Sequence, residues 1–213
     1  MATLNAQLLI PHLEPLPMPL RYQLEIRRRR VTHVYFLESG LASVVAPGTH
    51  PLEVGLFGRE GASGYSFVLG NDDPVLSDTY MQVAGNGHRI EAARLRACID
   101  ASVSLHRVLL TSLHHYLAQT ISTALANGRS KIDARLCRWL LMASDRVGSP
   151  KLSLTHEFLG LMLGVRRAGV TEALKTLDLA GLIDQKRGQI TLLDRKKLEQ
   201  NSNGTYLRVH MLT

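Results

Sequence analysis

Long apolar runs are missing from this chain of 213 residues. No stretch approaches the ~20 consecutive apolar residues of a membrane-spanning helix, so no membrane partner is expected. The N-terminus lacks the basic-then-apolar order of a secretory signal: Leu8-Leu9-Ile10 is short and Pro11 stops it. A cytoplasmic protein is the expectation. Cysteine is scarce as well. Cys98 and Cys137 are far apart and in no metal-ligand spacing. Two buried thiols are the main reading, with one disulfide between them as the alternative. Internal repeats and low-complexity tracts are missing too. So are the nucleophile elbow, the Walker loop, the Rossmann fingerprint and the zinc-protease motif. Asp72-Asp73 is a carboxylate pair, but it lies in an Asn/Pro turn that it is suited to cap. A catalytic function is not expected.

Charge is present, and it is unevenly placed. Residues 1–127 hold ten Lys+Arg and ten Asp+Glu, whereas residues 128–213 hold fifteen and eight. The whole formal net charge of +7 therefore sits in the C-terminal part. A basic excess on one domain is the footprint of a nucleic-acid partner.

The segment 155–174 carries the sharpest signal in that part. Thr155 can cap a helix by accepting from a backbone N–H of its first turn. Phe158, Leu159, Met162 and Leu163 follow at helical spacing. Gly164 stands where a left-handed residue ends a helix. Val170, Leu174 and Leu177 give a second helix its apolar stripe, and Gly181 closes it. Two helices joined this tightly read as a helix-turn-helix, whose second helix enters a DNA major groove. An ordinary helical hairpin with solvated charges is the alternative. Residues 182–185 and 189–193 are short β-prone runs around Lys186-Arg187-Gly188. They read as a wing with a basic tip, able to meet phosphates beside the groove.

The remainder organises around this segment. Residues 1–100 are β-rich, with strands expected over 31–37, 41–46, 53–57 and 79–84. Turns are expected at Pro47-Gly48, Asn71 to Pro74 and Gly85-Asn86-Gly87. A barrel or sandwich follows. From 101 to 127 the pattern is one long helix. Leu105, Leu109, Leu113, Leu117 and Ile121 recur every four residues, widened by Tyr116. Such a helix either pairs with a second copy of itself or lies along its own barrel, and both can hold on different faces. A hinge is expected at Asn127-Gly128-Arg129-Ser130, then a helix over 132–147 with Leu136, Leu140 and Ala143 inward. The expected division is 1–100, 101–127 and 128–213, in an α+β fold. Arg27-Arg28-Arg29-Arg30 reads as a solvated loop or edge strand, or else as a further polyanion contact. Tyr206-Leu207 and Val209 are candidates for a tail that packs back.

In this order the chain resembles the Crp/Fnr family of bacterial transcription regulators over nearly its whole length. The stretches that carry the resemblance are His33-Val34-Tyr35-Phe36 with Glu38-Ser39-Gly40, and Val54 to Gly61. Arg135 to Ala143, Leu163 to Arg167, Gly169-Val170-Thr171 and Ala180 to Ile183 complete the set. The resemblance implies a cyclic-nucleotide-binding-like β-roll, a dimerisation helix and a C-terminal winged helix-turn-helix. It places Arg167, Ala168 and Glu172 at base-reading positions. It places Thr155, His156, Arg166, Lys175, Lys186 and Arg187 at phosphates. Ala168 stands where the best-known members have a glutamate, so a different half-site is implied. Double-stranded DNA and a second copy of the chain are the implied partners, with RNA polymerase a further candidate.

The nucleotide-binding members neutralise the cyclic phosphate with an arginine late in the roll and hold the ribose with a glutamate. Here no Arg or Lys lies between Arg59 and Arg89, and Ala62 falls at the glutamate position. A buried phosphate without a cation is very unfavourable, so cAMP is not the expected effector. Two distant cysteines cannot supply the four thiolates of an iron–sulfur cluster. His114-His115 point about 100° apart and make no i,i+4 metal pair. No cofactor and no metal site is predicted, and any effector is unknown. A winged helix that serves a protein partner instead of DNA is the competing reading.

Overall fold

The computed structural model describes residues 7–208, which divide into two compact units: 7–44 with 56–117, and 45–55 with 118–208. The first is a β-roll with helices. Its strands are β1 (Glu14–Met18), β2 (Gln23–Glu25), β3 (His33–Leu37), β4 (Leu41–Ala46), β5 (Leu52–Phe57), β6 (Asp78–Val83) and β7 (Gly85–Glu91). They form two sheets, in the orders β1-β7-β3 and β2-β6-β4-β5. The end of β4, most of β5 and the turn between them belong to the second unit. The short helix α1 (Tyr65–Val68) follows β5, and α2 (Ala92–Ala101) follows β7. Alternation decides which side chains enter the core: Val34 sits opposite Ile90 across β3 and β7, and both are fully buried. Around them gather Phe67, Leu95, Ile99, Leu105 and Leu109.

The last two come from α3 (Val103–Arg129) and correct the expected dimer stripe. Leu105 and Leu109 are 2% and 7% exposed, inside the core of their own unit. They have no surface left for a second chain. Leu113 and Tyr116 are half-buried, with the Tyr116 ring 4.9 Å from Tyr65. Leu117 and Ile121 stay exposed. They continue a line of Val103, Leu110 and Leu125, each between 38% and 75% exposed. The stripe thus divides: one face packs on the roll and another is bare.

The helix break expected at Asn127 to Ser130 falls at the end of that segment. Gly128 lies within α3, and the break comes at residues 130–131. Beyond it, α4 (Ile132–Val147) buries Leu136, Cys137, Leu140 and Leu141 completely. Burying each leucine side chain contributes about 1.5–3 kcal/mol. Burial pushes the Cys137 thiol up to about 12. Both cysteines are free, and no disulfide joins them.

Polar groups inside this second unit are answered one by one. The Trp139 indole donates to Glu53 Oε1 at 2.7 Å. The buried Arg138 guanidinium has neutral partners: Thr205 O at 2.9 Å, Thr123 Oγ1 at 2.9 Å and Gln119 O at 3.3 Å. Burial lowers its pKa to about 10, opposed by Glu53. Ser122 also donates to the Thr205 carbonyl, and Tyr206 donates to Asp145 Oδ2 at 2.5 Å. The residues after α7 (Arg195–Asn201) therefore do pack back through Thr205 and Tyr206, while Leu207 is exposed. Val209 lies outside the described residues. No helix among the described residues is long and apolar enough to cross a membrane.

Candidate nucleic-acid interface

Residues 150–192 build the candidate interface. β8 (Lys151–Leu152) leads to Thr155, which caps α5 (His156–Leu163) by accepting from Phe158 N at 3.2 Å. Leu159, Met162 and Leu163 face the core, and the Phe158 ring makes a T-shaped contact with Trp139, centroids 5.6 Å apart. Gly164 ends the helix with φ +61°, where a side chain would be strained. A Cβ there would also come within 2.7 Å of Leu52 Cδ1. Val165 N then returns to Gly160 O at 2.9 Å, closing the turn. Arg135 on α4 donates to the Leu163 carbonyl, satisfying one of the orphan acceptors at that helix end.

The second helix, α6 (Arg167–Leu179), sinks Val170, Ala173, Leu174 and Leu177 into the core. That burial fixes its rotation. Arg167, Ala168, Thr171, Glu172 and Lys175 are left on the exposed side, with Arg166 just before the helix. Arg166 and Arg167 stand at the helix N-terminus, where no acidic residue lies in the first turn. Among the described residues, Arg166, Arg167, Lys175 and Arg187 make no ion pair. The wing follows as β9 (Ile183–Lys186) and β10 (Gln189–Leu192), antiparallel, with Gln189 opposite Lys186. Arg187-Gly188 forms its tip. Lys186 pairs with Asp184 at 3.1 Å, both well exposed, so the pair adds little stability and leaves the lysine available.

One connection in this surface has no sequence signal. His156 Nδ1 lies 2.9 Å from Thr171 Oγ1, which itself donates to Arg167 O at 3.0 Å. The other ring nitrogen accepts from Gln185 Nε2 at 2.8 Å. This order of donors puts the imidazole proton on Nδ1. His156 therefore links the start of α5, the middle of α6 and the first wing strand. Both its nitrogens are engaged, so a phosphate contact through the ring first breaks one of these bonds. Thr171 and Gln185 were not among the expected site residues. They lie 15 and 29 positions from His156, and no local pattern joins them. Asp178 adds a further tie, accepting from Gln185 N at 3.3 Å.

Residues 134–201 match the family of Crp-like helix-turn-helix domains. No functionally curated protein matches the chain in sequence. Solved structures match over almost the full length. The c-di-GMP-responsive global regulator CLP of Xanthomonas campestris is 18% identical, with a TM-score of 0.74 over 90% of this chain and 99% of that one. A CRP-family transcriptional regulator of Thermus thermophilus is 16% identical, with a TM-score of 0.74 over 92% and 100%. FixK2 of Bradyrhizobium japonicum is 15% identical, with a TM-score of 0.73 over 93% and 99%. Residues 134–201 thus form a Crp-like helix-turn-helix domain, within a chain that has the fold of these regulators.

Proposed function

We propose that the protein works as a homodimer on a palindromic DNA site, reading each half-site with α6. The carrying observation is the free polar face of α6, held outward by a fully buried opposite face. The N-terminal residues of a recognition helix reach base edges. Arg167 suits the two acceptors of a guanine, and Glu172 can accept from a cytosine amino group. Ala168 brings only a methyl, which favours contact with a thymine methyl. Arg166, Lys175 and Thr155, with Lys186 and Arg187 of the wing, meet phosphates and fix the register. His156 sets the angle between α6 and the wing.

The bare stripe of α3 supports the dimer. Val103, Leu110, Leu117, Ile121 and Leu125 are spaced by seven, seven, four and four, a heptad-like seam. A second copy covers it, and the two-fold places the recognition helices about 34 Å apart, one turn of DNA. The effector is not cAMP. The Glu25 carboxylate accepts from the backbone N–H of Gly64 at 3.1 Å and from Thr79 Oγ1 at 2.7 Å. No Arg or Lys lies between Arg59 and Arg89 to neutralise a cyclic phosphate. Control acts through another signal or through abundance. The site of action is the bacterial cytoplasm, with RNA polymerase a candidate partner and no catalytic step.

The test is selection of bound sequences from random duplex DNA by the purified protein, without added ligand. An enriched palindrome is expected, and its half-site spacing reports the dimer. No enrichment, with DNA affinity that barely responds to salt, overturns the reading in favour of a protein partner, because phosphate contacts release counterions and make affinity fall with salt.

A further inference from the structure

The first unit carries a second charged feature that the DNA reading does not use. Residues 1–127 contain ten arginines and no lysine, and four of the ten are consecutive: Arg27 to Arg30. They do not lie in a loose loop. Arg29 N closes a turn onto Ile26 O at 3.0 Å. Arg28 N donates to Val75 O at 2.8 Å, and Val75 N donates back to Arg29 O at 3.0 Å. Arg27 N is held by Asp78 Oδ1 at 3.0 Å. Arg28 takes the left-handed position of the turn, with φ +63°. All four side chains are exposed, and among the described residues none of them makes a hydrogen bond or ion pair. Four unpaired guanidinium groups on a pinned turn repel each other, and an anion relieves that repulsion.

A cavity of about 420 Å³ adjoins the turn. That volume is in the range that holds a small molecule. Arg29 and Arg30 line it, with Val31, Val75 and Tyr35 supplying apolar and aromatic wall. No residue of α3 lines it. Glu25 lines it too, but both its oxygens already accept from protein donors. Its remaining lone pairs can take only a further donor. We propose that this cavity binds a small organic anion, whose phosphate, sulfate or carboxylate group lies on Arg29 and Arg30 and whose flat, largely apolar body lies against Val31, Val75 and Tyr35. Arginine suits this role better than lysine, because its planar fork takes an oxyanion with two parallel bonds. Arg27 and Arg28 do not line the cavity; they add long-range attraction only.

The probe is anilinonaphthalene sulfonate, an aryl anion whose fluorescence rises in an apolar site. It is titrated into the full chain, alone and with pyrophosphate as a competitor for the arginine end. Saturable binding at one site per chain is expected, displaced by pyrophosphate. The Arg29→Ala/Arg30→Ala protein, folded by its circular dichroism, is expected to bind the dye about tenfold more weakly or less. The Arg27→Ala/Arg28→Ala protein is expected to stay within about threefold of the parent. Dye binding that ignores both pyrophosphate and the Arg29/Arg30 substitutions overturns the proposal, since it would report apolar surface alone. So does an Arg29→Ala/Arg30→Ala protein that binds dye normally but loses DNA affinity and part of its salt dependence, which would make these arginines a second DNA contact.

Discussion

The two units both present unpaired cations, but they differ in the space they keep. In the second unit, the cavity lined by Trp139, Met162 and Arg138 has a volume of only about 10 Å³, too small for more than a single water. The roll keeps a cavity of about 420 Å³ next to four unpaired arginines. A DNA reader meets a partner of fixed shape, so its side chains gain from a rigid floor. A ligand-binding unit has to keep room, at some cost in packing. The largest expected effects test this contrast directly. Leu174→Ala, at a fully buried position on the inner face of α6, is expected to cost about 2–5 kcal/mol. Val75→Ala, on the wall of the roll cavity, is expected to cost only about 1–2 kcal/mol, since that wall already lacks contacts on one side. Denaturant unfolding of both proteins compares them; equal losses would mean that the roll is as tightly packed as the reader.

The next effect concerns what the rigid floor supports. Arg167→Ala is expected to weaken binding to the selected site by about 1–3 kcal/mol and to relax preference at one base pair. Arg187→Ala, at the wing tip, is expected to weaken all sequences alike and lower the salt slope by about one phosphate's share. Binding measured across a salt series on cognate and scrambled duplexes separates the two. An unchanged base preference in Arg167→Ala would remove that residue from the base-reading set.

The same contrast explains what could be read from the sequence. The helix-turn-helix announces itself through local chemistry: Thr155 at the cap, Gly164 at the turn and Lys186-Arg187-Gly188 at the wing lie close to the elements they shape. The roll depends on partners far along the chain. β1 reads Glu-Pro-Leu-Pro-Met, and two prolines argue against a strand; it exists because it is an edge, in the order β1-β7-β3. Gly85-Asn86-Gly87 has the composition of a turn, yet it pairs with Leu16 to Met18. A Cβ on Gly85 would lie 2.1 Å from Ser39 O, and one on Gly87 2.2 Å from Phe36 O. The glycines are there for close backbone approach, which sequence composition cannot distinguish from turning. The four-residue repeat of α3 was visible, but the face it turned to its own core was not. Leu105 and Leu109 follow the same period as Leu113, Leu117 and Ile121, and only the position of the roll separates them. The His156, Thr171 and Gln185 connection was hidden for the same reason.

Smaller effects sharpen the contrast at the level of single backbone groups. Thr155→Ala removes the acceptor that caps Phe158 N and is expected to destabilise the second unit by about 1 kcal/mol. Serine at that position restores most of the loss, because the hydroxyl is what matters. A thermal melt of the three proteins checks the order; an alanine protein as stable as the parent would mean that water caps α5 equally well.

The smallest effect runs in the opposite direction. Arg28 holds φ +63° in the arginine turn, a conformation that costs a side chain about 1–2 kcal/mol and glycine almost nothing. Glycine gives back part of that gain through the freedom it recovers in the unfolded chain. Arg28→Gly is therefore expected to stabilise the protein by about 0.5–1 kcal/mol, and removing one of four adjacent like charges adds to the gain. Denaturant unfolding at low and high salt separates the two causes, since salt screens the charge contribution and leaves the backbone contribution untouched. A gain that survives high salt means that the first unit holds a strained residue where glycine fits better. Its arginine is then kept for the charge it presents, as the recognition helix keeps Arg166 and Arg167 unpaired. A gain that vanishes in high salt places the whole penalty in the crowding of guanidinium groups, and the turn itself would be unstrained.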